Sequence, residues 1–214
     1  MKIQILNLGQ MDYTEALKLQ NETLLKRQKD EVGDTLILVE HPDVLTLGRR
    51  GKMENILLKK EELIKKGVEV HEISRGGDVT YHGPGQVVCY PIMDLNALKI
   101  GVRDFVWGIE ESVILFLKEK YSITAHREEK EFTGVWVGNE KIMAVGISVK
   151  RGVTMHGFAF NAFTDLSRFD WIIPCGLPDR GVTSLQKLTG ILPDWEETAL
   201  TIAGYFCRTF DLEE

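Results

Sequence analysis

Cysteine is scarce in this chain. There are three, Cys89, Cys175 and Cys207, an odd number at spacings far too wide for a metal-binding pair motif. No apolar stretch approaches the length of a membrane span, and the opening residues MKIQILNLG lack the apolar run of a signal peptide. Free thiols in a reducing cytoplasm are therefore expected. A basic excess is missing too. The 26 Lys and Arg face 32 Asp and Glu, a net charge of −6, which argues against a nucleic-acid binder. The five histidines show no metal-ligand spacing, so no metal is expected. There is no internal repeat and no low-complexity linker. What is present, 43% hydrophobic and 27% charged residues, suits a globular protein. Its 214 residues suit one dominant domain, residues 1–214, with a sizeable core.

Periodicity places the elements. KIQILNLG (2–9) alternates like a strand. Residues 11–32 follow as a helix, with Asp12 as cap and Glu15 in capping-box position. DTLILVEHPDVLTLG (34–48) reads as two strands joined by a turn at HPD. KKEELIKKG (59–67) is a short helix stopped by glycine, and VEVHEIS (68–74) alternates again. VVCYPIM (87–93) reads as a buried strand. Residues 102–120 form the clearest helix, with Phe105, Ile109, Val113 and Leu117 recurring at helical spacing. Strand-like pieces follow at 132–138, 140–150 and 154–163, and a closing helix at 195–214. The expected class is α/β (α+β): a mixed sheet packed with helices.

One segment stands apart. RGGDVTYHGPGQ (75–86) holds four glycines in twelve residues, too much backbone freedom for an ordinary strand. It is neither the GxGxxG that opens a dinucleotide-binding helix nor a GxxxxGK[ST] phosphate loop. Two readings remain: a long irregular hairpin whose glycines only serve turns, or a channel wall along which a ligand chain lies, with Arg75 and His82 as polar marks. If VTYH is extended, Thr80 and His82 share one face, and Val79 and Tyr81 the other.

Among the thiols, Cys89 sits in an apolar strand and Cys207 among the aromatics of the last helix, so both read as small core hydrophobes. Cys175 lies between Pro174 and Gly176 in WIIPCGLPDRG, a turn that suits an exposed nucleophile; the alternative is a thiol tucked against Trp171. Its base would be His82, His156 or Lys141, the last leading into the apolar run KIMAVGISV.

RGGDVTYHGPGQVVCYPI resembles the signature of the lipoyl (octanoyl) transferase family, with Arg75-Gly76-Gly77, Thr80, Tyr81, His82, Gln86 and Tyr90 all in place. GVWVGNEKIMAVGISVKRGVTMHGFAFNAFTDLSRFDWIIPCG (134–176) continues the resemblance in the same order. It implies the fold shared with biotin and lipoate ligases. It implies transfer of an octanoyl group from octanoyl-acyl carrier protein to a lysine of lipoyl domains, those of 2-oxoacid dehydrogenase complexes and the glycine cleavage H protein. A Cys175–Lys141 dyad would carry the reaction, with Lys141 rather than a histidine as base and no cofactor. Substrate contacts would come from Arg75, Gly76, Gly77, Thr80, Tyr81, His82 and Gly83, and from Gly146, Ile147, Ser148, His156 and Gly157. Gly76, Gly77 and Gly83 would wall the acyl groove, and amides near Gly76, Gly77 and the strand after Lys141 would face the oxyanion. The alternative is an ATP-dependent lipoate or biotin ligase on the same scaffold. Since acyl carrier protein and lipoyl domains tend to be acidic, docking would use local basic residues: Arg49, Arg50, Lys52, Lys150 and Arg151.

Overall fold

A computed structural model of the chain describes residues 1–128, 132–173 and 180–213. Strand β1 (Ile3–Gln10) leads to helix α1 (Tyr13–Arg27), whose cap Asp12 accepts from the Thr14 and Glu15 N–H groups. The helix ends at Arg27, the backbone turns through a left-handed Asp30 (φ +56°), and the Arg27 guanidinium pairs with Asp30 and with the buried Asp34, which opens the next strand. Strands β2 (Asp34–Glu40) and β3 (Val44–Leu47) follow the expected split at HPD. They are not a hairpin, however. β2 enters the large sheet and β3 a separate small one. Helix α2 (Lys60–Lys66) ends at Gly67, left-handed at φ +67°, and leads into β4 (Glu69–Glu72). Within the glycine-rich segment lies a short strand, β5 (Val79–His82), so VTYH is extended and paired. Strand β6 (Gln86–Ile92), a single helical turn α3 (Leu95–Leu98) and the long α4 (Val102–Tyr121) come next. Then follow β7 (His126–Arg127), β8 (Gly134–Val137), β9 (Glu140–Lys150), β10 (Val153–Asn161) and β11 (Gly181–Val182). Helices α5 (Leu185–Thr189) and α6 (Trp195–Thr209) close the chain.

The large sheet runs β1-β2-β6-β10-β9-β8-β7, with β11 beside β9. β1–β2 and β11–β9 are parallel and the other pairs antiparallel, so the sheet is mixed as expected. Both faces are covered, which explains the unbroken apolar runs of its central strands. Leu36, Leu38, Val87 and Cys89 face α4 and α6, against Phe105, Ile109, Phe116 and Phe206. Ile37, Val39, Val88 and Tyr90 face α1, against Ala16 and Leu24. Cys89 and Cys207 are buried, in keeping with their sequence environments. The small sheet, β4-β3-β5, packs Leu45, Leu47, Val79 and Tyr81 against α2 and a 3-10 segment, Leu166–Trp171.

Pro91 sits inside a central strand, where a missing N–H would normally break a ladder. Here β10 pairs with β6 only as far as Cys89, and the two chains meet again at the Asp94–Val153 bridge. At that divergence Gly157 approaches β6 so closely that a Cβ would lie 1.9 Å from the Cys89 carbonyl oxygen. Gly157→Ala must push β10 off β6, and a thermal melt should show a loss of about 1–3 kcal/mol. An unchanged midpoint would mean that the strands separate at no cost.

Candidate active site

Residues of the small sheet, the large sheet and α4 together line an open cavity of about 1110 Å³. Its walls come from the glycine-rich segment, β5, β9, β10 and the first turns of α4. Arg75, Gly76 and Gly77 are held there from both sides. The N–H groups of Gly48, Arg49 and Arg50 donate to the carbonyls of Asp78, Arg75 and Gly77, and the Gly76 N–H donates to the Ile147 carbonyl on β9 at 2.9 Å. Gly146 allows this close crossing, since a Cβ there would lie 2.9 Å from the Arg75 side chain and 3.0 Å from the Gly76 carbonyl oxygen. Here the glycines serve backbone-to-backbone approach as much as ligand access. Among the candidate oxyanion donors near Gly76 and Gly77, the Gly76 N–H is already bonded to Ile147.

Arg75 is buried and donates to the Thr46 carbonyl at 2.7 Å, to the Thr46 hydroxyl, and to the Gly76 carbonyl. It clamps the glycine segment onto β3. The alternation in VTYH holds in part: Thr80 and His82 line the cavity as expected, but Val79, which packs in the small core, also borders it. Tyr81 turns into the small core, its hydroxyl donating to Asp43 at 2.7 Å. Gly83 makes room for it, because a Cβ would lie 1.7 Å from the Tyr81 hydroxyl oxygen. Neither Tyr81, Gly83 nor Ser148 is among the residues lining the cavity, whereas Gly146, Ile147, His156 and Gly157 are. Gly83 thus supports the wall without forming it.

A histidine–tyrosine cluster borders the cavity: Tyr13, His82, Tyr90 and His156 line it, and His41 packs against His82 and Tyr90. His41 donates from Nδ1 to the Met11 carbonyl and accepts at Nε2 from the Tyr90 hydroxyl, both at 2.8 Å. His82 donates from Nδ1 to Gln86 Oε1 at 2.7 Å. His156 has a left-handed φ of +59°, and its ring nitrogens have no hydrogen-bond partner among the described residues. Burial pushes all three down, His41 and His156 to about 4 and His82 to about 3, so they are neutral at pH 7. A histidine this basic-poor draws little proton from a thiol, which weakens the histidine option for the base.

Lys141 also lines the cavity. Its Nζ donates to the Thr133 carbonyl at 3.2 Å and lies 4.8 Å from the centre of the Trp136 ring. The fold thus brings Lys141 to the same cavity as Arg75, Gly76 and Gly77, far away in sequence. Cys175 and its neighbours Pro174 and Gly176 lie outside the described residues. Sequence reasoning passed over Tyr13, Trp107, Glu110, Arg127, Trp136 and Arg180, which also line the cavity. Glu110 left one signal: a carboxylate within the apolar stripe of α4, next to Ile109 and three residues before Val113. Among the described residues no cluster of side chains suits a metal ion, and no helix is long and apolar enough to cross a membrane.

Residues 12–207 match the lipoyl protein ligase A/B catalytic domain. An octanoyltransferase from Caldicellulosiruptor saccharolyticus is 53% identical over 98% of this chain and 89% of its own length. One from Desulforamulus reducens is 53% identical over 100% of this chain and 93% of its own. In three dimensions a bipartite lipoate protein ligase from Thermoplasma acidophilum superposes with a TM-score of 0.76, at 16% identity, over 100% of this chain and 85% of that one. The distant likeness carries the fold alone; the near relatives span almost the whole sequence. The chain belongs to the lipoyl protein ligase A/B catalytic domain family and, within it, to the octanoyltransferases.

Proposed function

We propose that residues 1–214 act in the cytoplasm as one catalytic domain that moves an octanoyl group from octanoyl-acyl carrier protein to a lysine of a lipoyl domain. The observation that carries this reading is the shared cavity, lined both by Lys141 and by the Arg75–Gly77 segment of the transferase signature. Lys141 takes the proton of the Cys175 thiol. The thiolate attacks the carrier thioester, the carrier's thiol leaves, and the octanoyl group is held on Cys175 as a new thioester. The target lysine then attacks that carbonyl, giving an amide and returning the thiol. One thioester replaces another in the first step, which is near balance; amide formation makes the second run downhill. The apolar wall formed by Val145, Ile147, Phe158 and Ala159 suits the alkyl chain.

Arg49, Arg50, Lys52, Lys150 and Arg151 are exposed or nearly so, and Arg50 also lines the cavity. They offer a basic approach for acidic carrier and lipoyl domains, the glycine cleavage H protein among them.

Mixing the protein with octanoyl-acyl carrier protein alone should add one octanoyl group, found on Cys175 by peptide mass spectrometry. Lipoyl domain added afterwards should remove it without ATP. Product formed only from free lipoate and ATP would replace this reading with that of a ligase.

A further inference from the structure

Helix packing asks for an apolar side chain where Glu110 stands. The residue is 5% exposed, and a buried carboxylate is costly unless it is bonded or paired. Its Oε1 accepts the Gly134 N–H at 2.7 Å, and its Oε2 faces Arg127 Nε at 3.5 Å. The carbonyl of that same peptide unit belongs to Thr133, and it accepts from Lys141 Nζ at 3.2 Å. A trans peptide points its N–H and C=O in opposite directions. One amide therefore bridges the two side chains, its N–H end on Glu110 and its carbonyl end on Lys141.

The bridge is tightly built. Gly134 has φ +137°, and a Cβ there would lie 2.3 Å from the Met143 carbonyl oxygen and 3.4 Å from Lys141 Cε. The lysine stem thus passes directly over this glycine. An N–H bonded to an anion makes its own carbonyl a stronger acceptor, because successive hydrogen bonds polarise one another.

We propose that Glu110 is a positioning residue: through the Thr133–Gly134 peptide its carboxylate holds the Lys141 amine in place and stabilises the ammonium that forms when the amine takes up a proton. This rests on Lys141 acting as the proton acceptor proposed above. Other charges face the same corner. From β7, Arg127 pairs with Glu111 of α4 and lies 4.2 Å from the centre of the Trp107 ring. Arg180 pairs with Glu128 at 3.0 Å and lies 5.0 Å from the centre of the Trp136 ring. Burial pushes the Glu110 carboxyl up, while the Gly134 N–H, Arg127 and Lys141 pull it back towards ionisation.

Trace labelling with acetic anhydride acylates only the neutral amine, so its pH dependence at Lys141, read by peptide mass spectrometry, gives the titration midpoint. Glu110→Gln retains an acceptor for the Gly134 N–H and removes the charge. It is expected to lower the Lys141 midpoint by about 0.5–1 pH unit. Octanoyl transfer should lose kcat with KM for the acyl donor unchanged. Glu110→Asp retains the charge one methylene short and should fall between the two. A Lys141 midpoint that moves in neither variant overturns the proposal. So does loss of the folded state in both, which would assign Glu110 to the fold. Lys141→Ala with an undiminished rate of octanoyl adduct formation rejects the proton-acceptor reading and this one with it; an unmoved midpoint rejects this one alone.

Discussion

Alanine at Lys141 should slow octanoyl transfer by about a hundredfold to ten-thousandfold, the usual contribution of a positioned acid–base group. The residue is half-buried and its amine meets the Thr133 carbonyl, so its removal leaves strands β8 and β9 paired through their backbones. The thermal midpoint should therefore change far less than the rate. Alanine at Cys175 should take transfer to background, because the proposed acyl-enzyme cannot form without the thiol. Cys89 and Cys207 are buried in the core and their alanine variants should lose stability alone. Burial also pushes the Cys89 thiol up, away from the thiolate form a nucleophile needs. Single-turnover mass measurements separate these cases. A Lys141→Ala enzyme that acylates at the wild-type rate would remove lysine from the chemistry, and an octanoyl group on Cys89 with Cys175 unmodified would remove Cys175.

The second large effect is on stability in acid. His41, His82 and His156 are held neutral by burial, at about 4, 3 and 4, against the ordinary value of 6.5. The unfolded chain binds these protons more readily than the folded one. Stability is therefore complete above about pH 6.5 and is lost as pH falls from there towards 4. Each group contributes about 1.4 kcal/mol per pH unit inside that window. The three share one cluster and do not add fully, which leaves roughly 2–4 kcal/mol lost between pH 6 and pH 5. For a chain of this length that lowers the thermal midpoint by about 5–15 °C. Glu110, pushed up by burial, works in the opposite sense, but it is one group against three. Scanning calorimetry across this range tests the idea; a midpoint that stays level from pH 6.5 to pH 5 would show that the histidines are not buried neutral.

What could be read in advance follows from how local each feature is. Asp12 caps α1 because a short acceptor two and three residues before the N–H groups of Thr14 and Glu15 needs nothing else from the fold. The apolar stripe of α4 and the burial of β6 were likewise written in neighbouring residues. The small helices α3 and α5, and the 3-10 turn at Leu166–Trp171, went unread because four to six residues hold too few turns for a period to show. The glycine-rich segment was visible as unusual, yet its short strand β5 was legible only in the alternation of VTYH.

The sequence by itself determined the types of the longer elements, the buried thiols Cys89 and Cys207 and the transferase signature, all carried by contiguous residues. Tertiary structure alone decided that β2 and β3 part into different sheets, that Gly83 serves Tyr81 rather than the cavity, and that Glu110 on α4 meets Lys141 on β9 through one peptide. Those facts depend on which strands lie side by side and on the handful of ångströms a missing Cβ leaves between them. Periodicity reports which face of an element is buried, and carries no record of what is buried against it.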